Sequence, residues 1–173
     1  MSKRAGTFVT LRDLVDEVGT DAARWFFLSR KGESQLNFDI ELAKRQTDEN
    51  PIFYVQMAHA RLCGIFRTAG VTPESVSGAL DLASLPASED MDLLKKLAEL
   101  PEEIAKAARE REPHRVTTYL HALATDIHGW YHHTRTVGEP ADIERARLLL
   151  ARAARITLAN GLAVLGLSAP ERI

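Results

Sequence analysis

One stretch, Asn50 to Arg67 (NPIFYVQMAHARLCGIFR), constrains the fold of this chain more than any other. Asn50 can cap a helix with its side-chain oxygen, and Pro51 suits the first helical position, where its missing N–H leaves no bond unmade. Gly70, just past Thr68 and Ala69, supplies the stop. Between them Ile52, Val55, His59, Leu62 and Phe66 recur at steps of three and four, which aligns them along one helix face. Tyr54, Met57, Ala58, Arg61 and Ile65 make a second stripe, turned by about 100°. Seven residues almost complete two turns over about 10.5 Å, so Tyr54 and Arg61 project the same way. An aromatic ring and a guanidinium on one ridge suit a nucleotide base and its phosphate. Equally, Tyr54 suits an interfacial core position and Arg61 a surface cation whose stem lies along apolar neighbours. Helix geometry leaves both readings open.

The flanking sequence carries helical punctuation throughout. Met1 to Val9 reads as a basic arm. Thr10 and Asp13 have capping-box spacing for a short helix ending at Gly19. Thr20 is expected to cap a second helix that sends Ala22, Trp25, Phe26 and Leu28 to the core, and Asp39 to cap a third over Ile40 to Gln46. Val71 to Ala87, with Pro73, Gly78 and Pro86 among small and polar residues, reads as a connection with little regular structure beyond a turn at Leu80 to Ala83. Ser88 is expected to cap a helix carrying Leu93, Leu94 and Leu97. Pro101 opens another, with Ile104, Ala105 and Ala108 inward. A long helix runs from Pro113 to about Val137, closed by Gly138. The last, from Pro140 to about Ala159, places Ile143, Ala146, Leu150, Ala153, Ala154 and Thr157 in step, and Asn160-Gly161 should break it. No segment shows the alternation and turn chemistry of a sheet. The expected fold class is therefore all-α, a helical bundle without internal repeat.

At 173 residues and 45% hydrophobic content the chain can bury a core of its own. Its formal charge of −2 does not mark a nucleic-acid binder, so any RNA contact has to be a local patch. Cys63 is the single cysteine, which excludes an intrachain disulfide and a Cys-x-x-Cys metal knuckle and fits a reducing, cytosolic setting. No apolar run approaches membrane-spanning length.

Two side-chain clusters carry candidate chemistry. Of His121, His128, His132 and His133, His128 and His132 are four apart, a spacing that can bring two ligands to one metal, and His121 lies on a similar face. Gly129 stands where a zinc protease carries its Glu and no third ligand is evident, so a histidine-rich, partly exposed face is the expectation. On the same helix Trp130 is expected in the core, while Tyr131, about 100° further round, can leave it by its hydroxyl. Arg145, Arg147, Arg152 and Arg155 form two ridges, solvated by default but suited to phosphate.

Three passages go further than spacing: MSKRAGTFVTLRDLVDEVGTDAARWFFL, LNFDIELAKRQTDENPIFYVQMAHARL and the ending RARLLLARAARITLANGLAVLGLSAPERI. In register, they resemble the C-terminal portion of arginyl-tRNA synthetase, a class I aminoacyl-tRNA synthetase. Only Val71 to Arg115 is weakly characteristic. The resemblance implies a signature-loop remnant and stem-contact helices over residues 1–38, and a helical anticodon-binding domain over 39–173. Met1, Ser2, Lys3 and Arg4 are similar to the family's ATP loop, in which the lysine matching Lys3 stabilises ATP phosphates as the adenylate forms. Residues at the positions of Tyr54, Met57, Arg61, Tyr131 and the C-terminal Ile173 shape the family's pocket for anticodon-loop bases. The family commonly ends in Met where this chain has Ile173, and often has Tyr where Met57 stands.

The implied parent reaction joins arginine to its tRNA with ATP and Mg2+. No His-x-Gly-His signature or nucleotide-binding sheet precedes Met1, so this segment is expected to bind tRNA in the cytoplasm and not to catalyse. The expected partners are arginine tRNA and the catalytic half of the same enzyme. No resident metal, membrane or DNA is expected. The alternative is a stand-alone helical interaction module that binds a protein through the Tyr54–Arg61 face.

Overall fold

The computed structural model describes residues 10–35 and 37–173, so the expected ATP loop, Met1 to Arg4, lies outside the described residues. Among the described residues there are eight α-helices and no strand: α1 Leu11–Val18, α2 Thr20–Leu28, α3 Ile40–Lys44, α4 Pro51–Ala69, α5 Ser88–Ala98, α6 Leu100–Glu110, α7 His114–His133 and α8 Ala141–Val164. Helices α4, α5, α7 and α8 pack on one another as a bundle. α6 leans on α7, and α1, α2 and α3 cluster together and reach the bundle through α2. The core holds Leu62 and Phe66 of α4, Leu93 of α5, Leu120, Leu123, Ile127 and Trp130 of α7, and Leu150, Leu158 and Leu162 of α8. Trp25 joins it from α2.

The helix starts follow the polar sequence, with corrections. Thr10 and Asp13 form the expected capping box, the Asp13 N–H donating to Thr10 Oγ1 at 3.1 Å and the Thr10 N–H to Asp13 Oδ2 at 3.0 Å. Asp39 caps α3, which stops at Lys44 instead of Gln46. Thr20 and Ser88 are first helical residues, not caps; Gly19, at φ +84°, and Ala87 precede them. The Ala87 N–H is taken by the Asp90 carboxylate at 3.1 Å. Asn50 flanks α4 without capping it. Its side-chain amide is buried and donates to the carbonyls of Ala43 at 3.0 Å and Arg45 at 2.8 Å. Those carbonyls end a five-residue helix that has no glycine to turn the chain, so the asparagine answers groups that would otherwise be orphaned. Gly70 ends α4 in the left-handed region, as expected.

The larger corrections concern α7 and α8. α7 stops at His133 because Thr134 turns extended and donates both its N–H, at 2.9 Å, and its hydroxyl, at 2.6 Å, to the Trp130 carbonyl. α8 runs unbroken through Asn160-Gly161. A β-carbon built on Gly161 would stand 2.5 Å from Leu120 Cδ2, so this glycine permits the approach of α7 rather than ending α8. The inner residues of α8 include Leu150, Ala151, Ala154, Leu158 and Leu162, while Ala153 faces out; on α6, Ala107 is inside and Ala108 outside.

Arg147 is neither solvated nor free for phosphate. It is buried against Asp90, which is fully buried, with Nη2 to Oδ2 at 3.1 Å and Nε to Oδ1 at 3.2 Å. Trp130 Nε1 donates to the same carboxylate at 2.7 Å. The other three arginines tie down the 71–87 connection, which contains two short 3-10 turns, Pro73–Ser75 and Leu82–Ser84. Arg145 donates to the Ser77 carbonyl at 3.3 Å, Arg152 to the Val76 carbonyl at 3.0 Å, and Arg155 to Glu74 at 3.0 Å.

Candidate functional site

The second stripe of α4 faces α7. Tyr54 lies between two imidazoles, stacked on His121 with centroids 5.2 Å apart and tilted against His128 at 4.4 Å. Its hydroxyl is 3.4 Å from Thr125 Oγ1. Two turns on, the Arg61 guanidinium stands 5.7 Å from the centroid of Tyr131, within cation–π range. Arg61 Nη1 lies 2.8 Å from His128 Nδ1 and 3.4 Å from His132 Nε2. His132 sets its edge against Tyr131, with centroids 5.9 Å apart. The helices therefore share a polar, aromatic seam, with the exposed His121 at one end and Tyr131, 42% exposed, at the other.

The seam forms because both helices contribute a matching ridge. On α7, residues 121, 125, 128 and 132 follow at steps of four, three and four, one face of a helix. On α4, Tyr54 and Arg61 are seven apart. Ala58 and Ile65 are buried on the same side. His128 is buried, against the expectation of a partly exposed face, whereas His121, His132 and His133 are exposed. The histidines that converge do so on an arginine. Among the described residues no group of three or more His, Cys, Asp or Glu is disposed to hold a metal ion, and the nitrogens of His128 and His132 that converge do so on a guanidinium.

The C-terminal tail flanks α4 from another side. Gln56 Nε2 donates to the Ser168 carbonyl at 3.1 Å and to Asp21 at 2.8 Å. His59 Nδ1 donates to the Pro170 carbonyl at 2.9 Å, and Arg67 Nη1 to that of Glu171 at 3.1 Å. At 100° per residue these three side chains leave α4 roughly 140–220° round from Tyr54. Between tail and seam lies a half-buried strip of α4 with Phe53, Met57 and Gly64. Of the five residues singled out for RNA in the sequence, the structure joins Arg61 to Tyr131 and puts Tyr54 on the same seam. Met57 is half-buried on the adjoining strip, and Ile173, 53% exposed, ends the tail beyond the Arg67 anchor.

Burial is the first cause pushing the His128 and His59 rings below the ordinary histidine range, and Arg61 adds to the effect at His128. Sequence reasoning missed the partnership of His128 and His132 with Arg61. The signal was present as the α7 ridge, but a ridge names no partner on another helix.

The family model of the DALR anticodon binding domain matches residues 55–173, which takes in nearly all of α4 and everything after it. Arginine--tRNA ligase of Citrifermentans bemidjiense is 51% identical over 177 residues, and that of Heliobacterium modesticaldum 47% over 179. Each alignment uses 100% of this chain but only 32% of the relative, so the chain spans about a third of the length of the curated relatives it matches. Among solved structures, the arginyl-tRNA synthetase of Thermus thermophilus superposes with a TM-score of 0.76 at 31% identity, covering 91% of this chain and 27% of that one. A candidate arginyl-tRNA synthetase from Campylobacter jejuni gives 0.88 at 29% identity, covering 99% and 37%. A match of the family model over well more than half the residues, across the helices that build the seam, establishes that this chain belongs to the DALR anticodon binding domain family.

Proposed function

We propose that this chain is the tRNA-binding portion of an arginine–tRNA ligase and that the anticodon loop lies against the α4–α7 seam and the adjoining strip of α4. The observation that carries the reading is the Arg61 guanidinium held over the exposed ring of Tyr131, which offers a stacking surface and a cation to one nucleotide. Tyr54 extends the surface, and Met57 and Ile173 supply apolar edges. The family match and the ligase relatives support the same ligand. In this reading residues 1–38 form the signature-loop remnant and stem contacts, and 39–173 the anticodon-binding unit. The whole enzyme, cytoplasmic and using ATP with Mg2+, joins arginine to its tRNA, and the partner of this segment is the catalytic half. Lys3 and its neighbours, which lie outside the described residues, belong in this reading to the ATP loop of the whole enzyme.

The test is direct binding of arginine tRNA to the chain across a salt series. Phosphate contacts release counterions, so affinity should fall steeply with salt. Replacing Tyr54 or Tyr131 by Ala should weaken binding by roughly 1–3 kcal/mol where each stacks on a base, with helix content unchanged. If no binding appears, or if altering the anticodon bases changes nothing, the tRNA reading fails and the seam is left to a protein partner.

A further inference from the structure

We propose that His128 and His132 are positioning residues for Arg61, their acceptor ring nitrogens holding its guanidinium against Tyr131, so that discrimination among anticodon-loop sequences requires the His128 imidazole to be neutral. The inference rests on the tRNA reading above and adds to it two residues and a protonation state.

The hydrogen-bond chemistry fixes the tautomer. His128 Nε2 is 3.1 Å from the Tyr54 carbonyl oxygen, which can only accept, so that nitrogen carries the proton. Nδ1 is then a lone pair, and it faces Arg61 Nη1, which can only donate, at 2.8 Å. His132 Nε2 approaches the same Nη1 at 3.4 Å and is likewise an acceptor. Nη1 has two hydrogens, enough for both. The choice of acceptor matters. A surface arginine is commonly steadied by a carboxylate, which also cancels its charge. Among the described residues no carboxylate lies within ion-pair distance of Arg61. Two imidazoles fix the guanidinium's direction and leave its full charge for a phosphate or a base edge.

A proton on Nδ1 of His128 would set N–H against N–H and release Arg61. The groups facing His128 divide on that event. The Tyr54 carbonyl and, at longer range, Asp48 favour the proton, while burial, Arg61 and His132 oppose it. His121 faces the other side of Tyr54. Neutral His128 is thus the resting state at ordinary pH, and acid disrupts the clamp. Added positive charge alone would raise affinity for every RNA. The signature of a broken clamp is therefore lost discrimination with non-cognate affinity undiminished.

The experiment compares dissociation constants of the chain for arginine tRNA and for the same tRNA with altered anticodon bases, at fixed salt, from about pH 8 to about pH 5. Wild type should discriminate at the upper end and lose roughly tenfold of that ratio at the lower. His128→Asn, whose oxygen stands near the Nδ1 position, should keep the ratio and hold it in acid. His128→Gln, which reaches the Tyr54 carbonyl but offers no acceptor at Nδ1, should lose roughly tenfold at every pH. His132→Phe keeps an aromatic edge on Tyr131 without an acceptor, and on an exposed position it should lower the ratio without unfolding the chain. Equal ratios for the Asn and Gln variants, a wild-type ratio unmoved by acid, or ring nitrogen shifts reporting the Nδ1–H tautomer of His128 would each overturn the clamp while leaving tRNA binding intact. A wild type that binds no tRNA, or does not discriminate at pH 8, overturns the tRNA reading and this inference with it.

Discussion

His59 holds the tail with one ring nitrogen, and its Nε2 is buried without a partner among the described residues. Like His128 it is kept below the ordinary histidine range, chiefly by burial, and binds its proton more readily when unfolded. For a depressed group the sign is fixed. The stability it contributes is fully present above the unfolded value near 6.5, and it is lost as pH falls from there through the folded value. The denaturation midpoint should therefore drop between about pH 7 and about pH 5, and His59→Gln should flatten that slope. A midpoint constant over this range would show that neither ring is buried neutral. Periodicity alone placed His59 on the core stripe and Tyr54 with Arg61 on one ridge. It could not supply Pro170 for the first, or His128 and His132 for the last, because those partners are set by how α4 crosses other segments. Asn50 and Arg147 fail for a related reason. Each carries the residue type of a cap or a solvated cation, and each is buried against groups outside its own helix, the carbonyls ending α3 and the Asp90 carboxylate.

Two glycines that look alike in the sequence end up in opposite roles, and packing makes the difference. Gly70 reads as a stop and is one, since a left-handed residue follows α4. Gly161 reads the same way and is the reverse, a notch that lets Leu120 of α7 lie against α8. The two roles predict opposite effects of a methyl group. In a free helix Gly161→Ala should gain about 1 kcal/mol from propensity. Here Leu120 is fully buried and has little room to retreat, so a net loss of about 1–3 kcal/mol is expected in a urea midpoint, with helix content retained. A stabilised variant would return Gly161 to the status of a helix irregularity. The 71–87 connection illustrates the same limit. Its Pro, Gly and Ser residues announced a loop, but the three arginines that strap it to α8 looked from sequence like a surface ridge.

Taken whole, the molecule is a bundle whose last residues reach back to its first helices. Ser168 donates its N–H at 3.2 Å, and also its hydroxyl, to Asp21 of α2, Arg24 donates to the Gly166 carbonyl at 2.6 Å, and Gln56, His59 and Arg67 hold the rest of the tail on α4. All-α architecture was legible because the long elements carry apolar residues at helical spacing and no segment alternates like a strand. The tail's course was not, since SAPERI has no periodicity to read. Deleting residues 168–173 should lower stability by roughly 2–4 kcal/mol, a few hydrogen bonds' worth, and leave cooperative unfolding of the bundle. Loss of all helical signal in the truncated chain would mean that the tail is part of the core. Asp21 and Ser168 are 147 positions apart, so their contact closes a loop of nearly the whole chain, and such a closure waits until everything between has collapsed. On a ribosome, which releases the N-terminal side first, Gln56 can answer Asp21 well before Ser168 emerges, so α2 meets α4 in two stages and only the second waits for the tail.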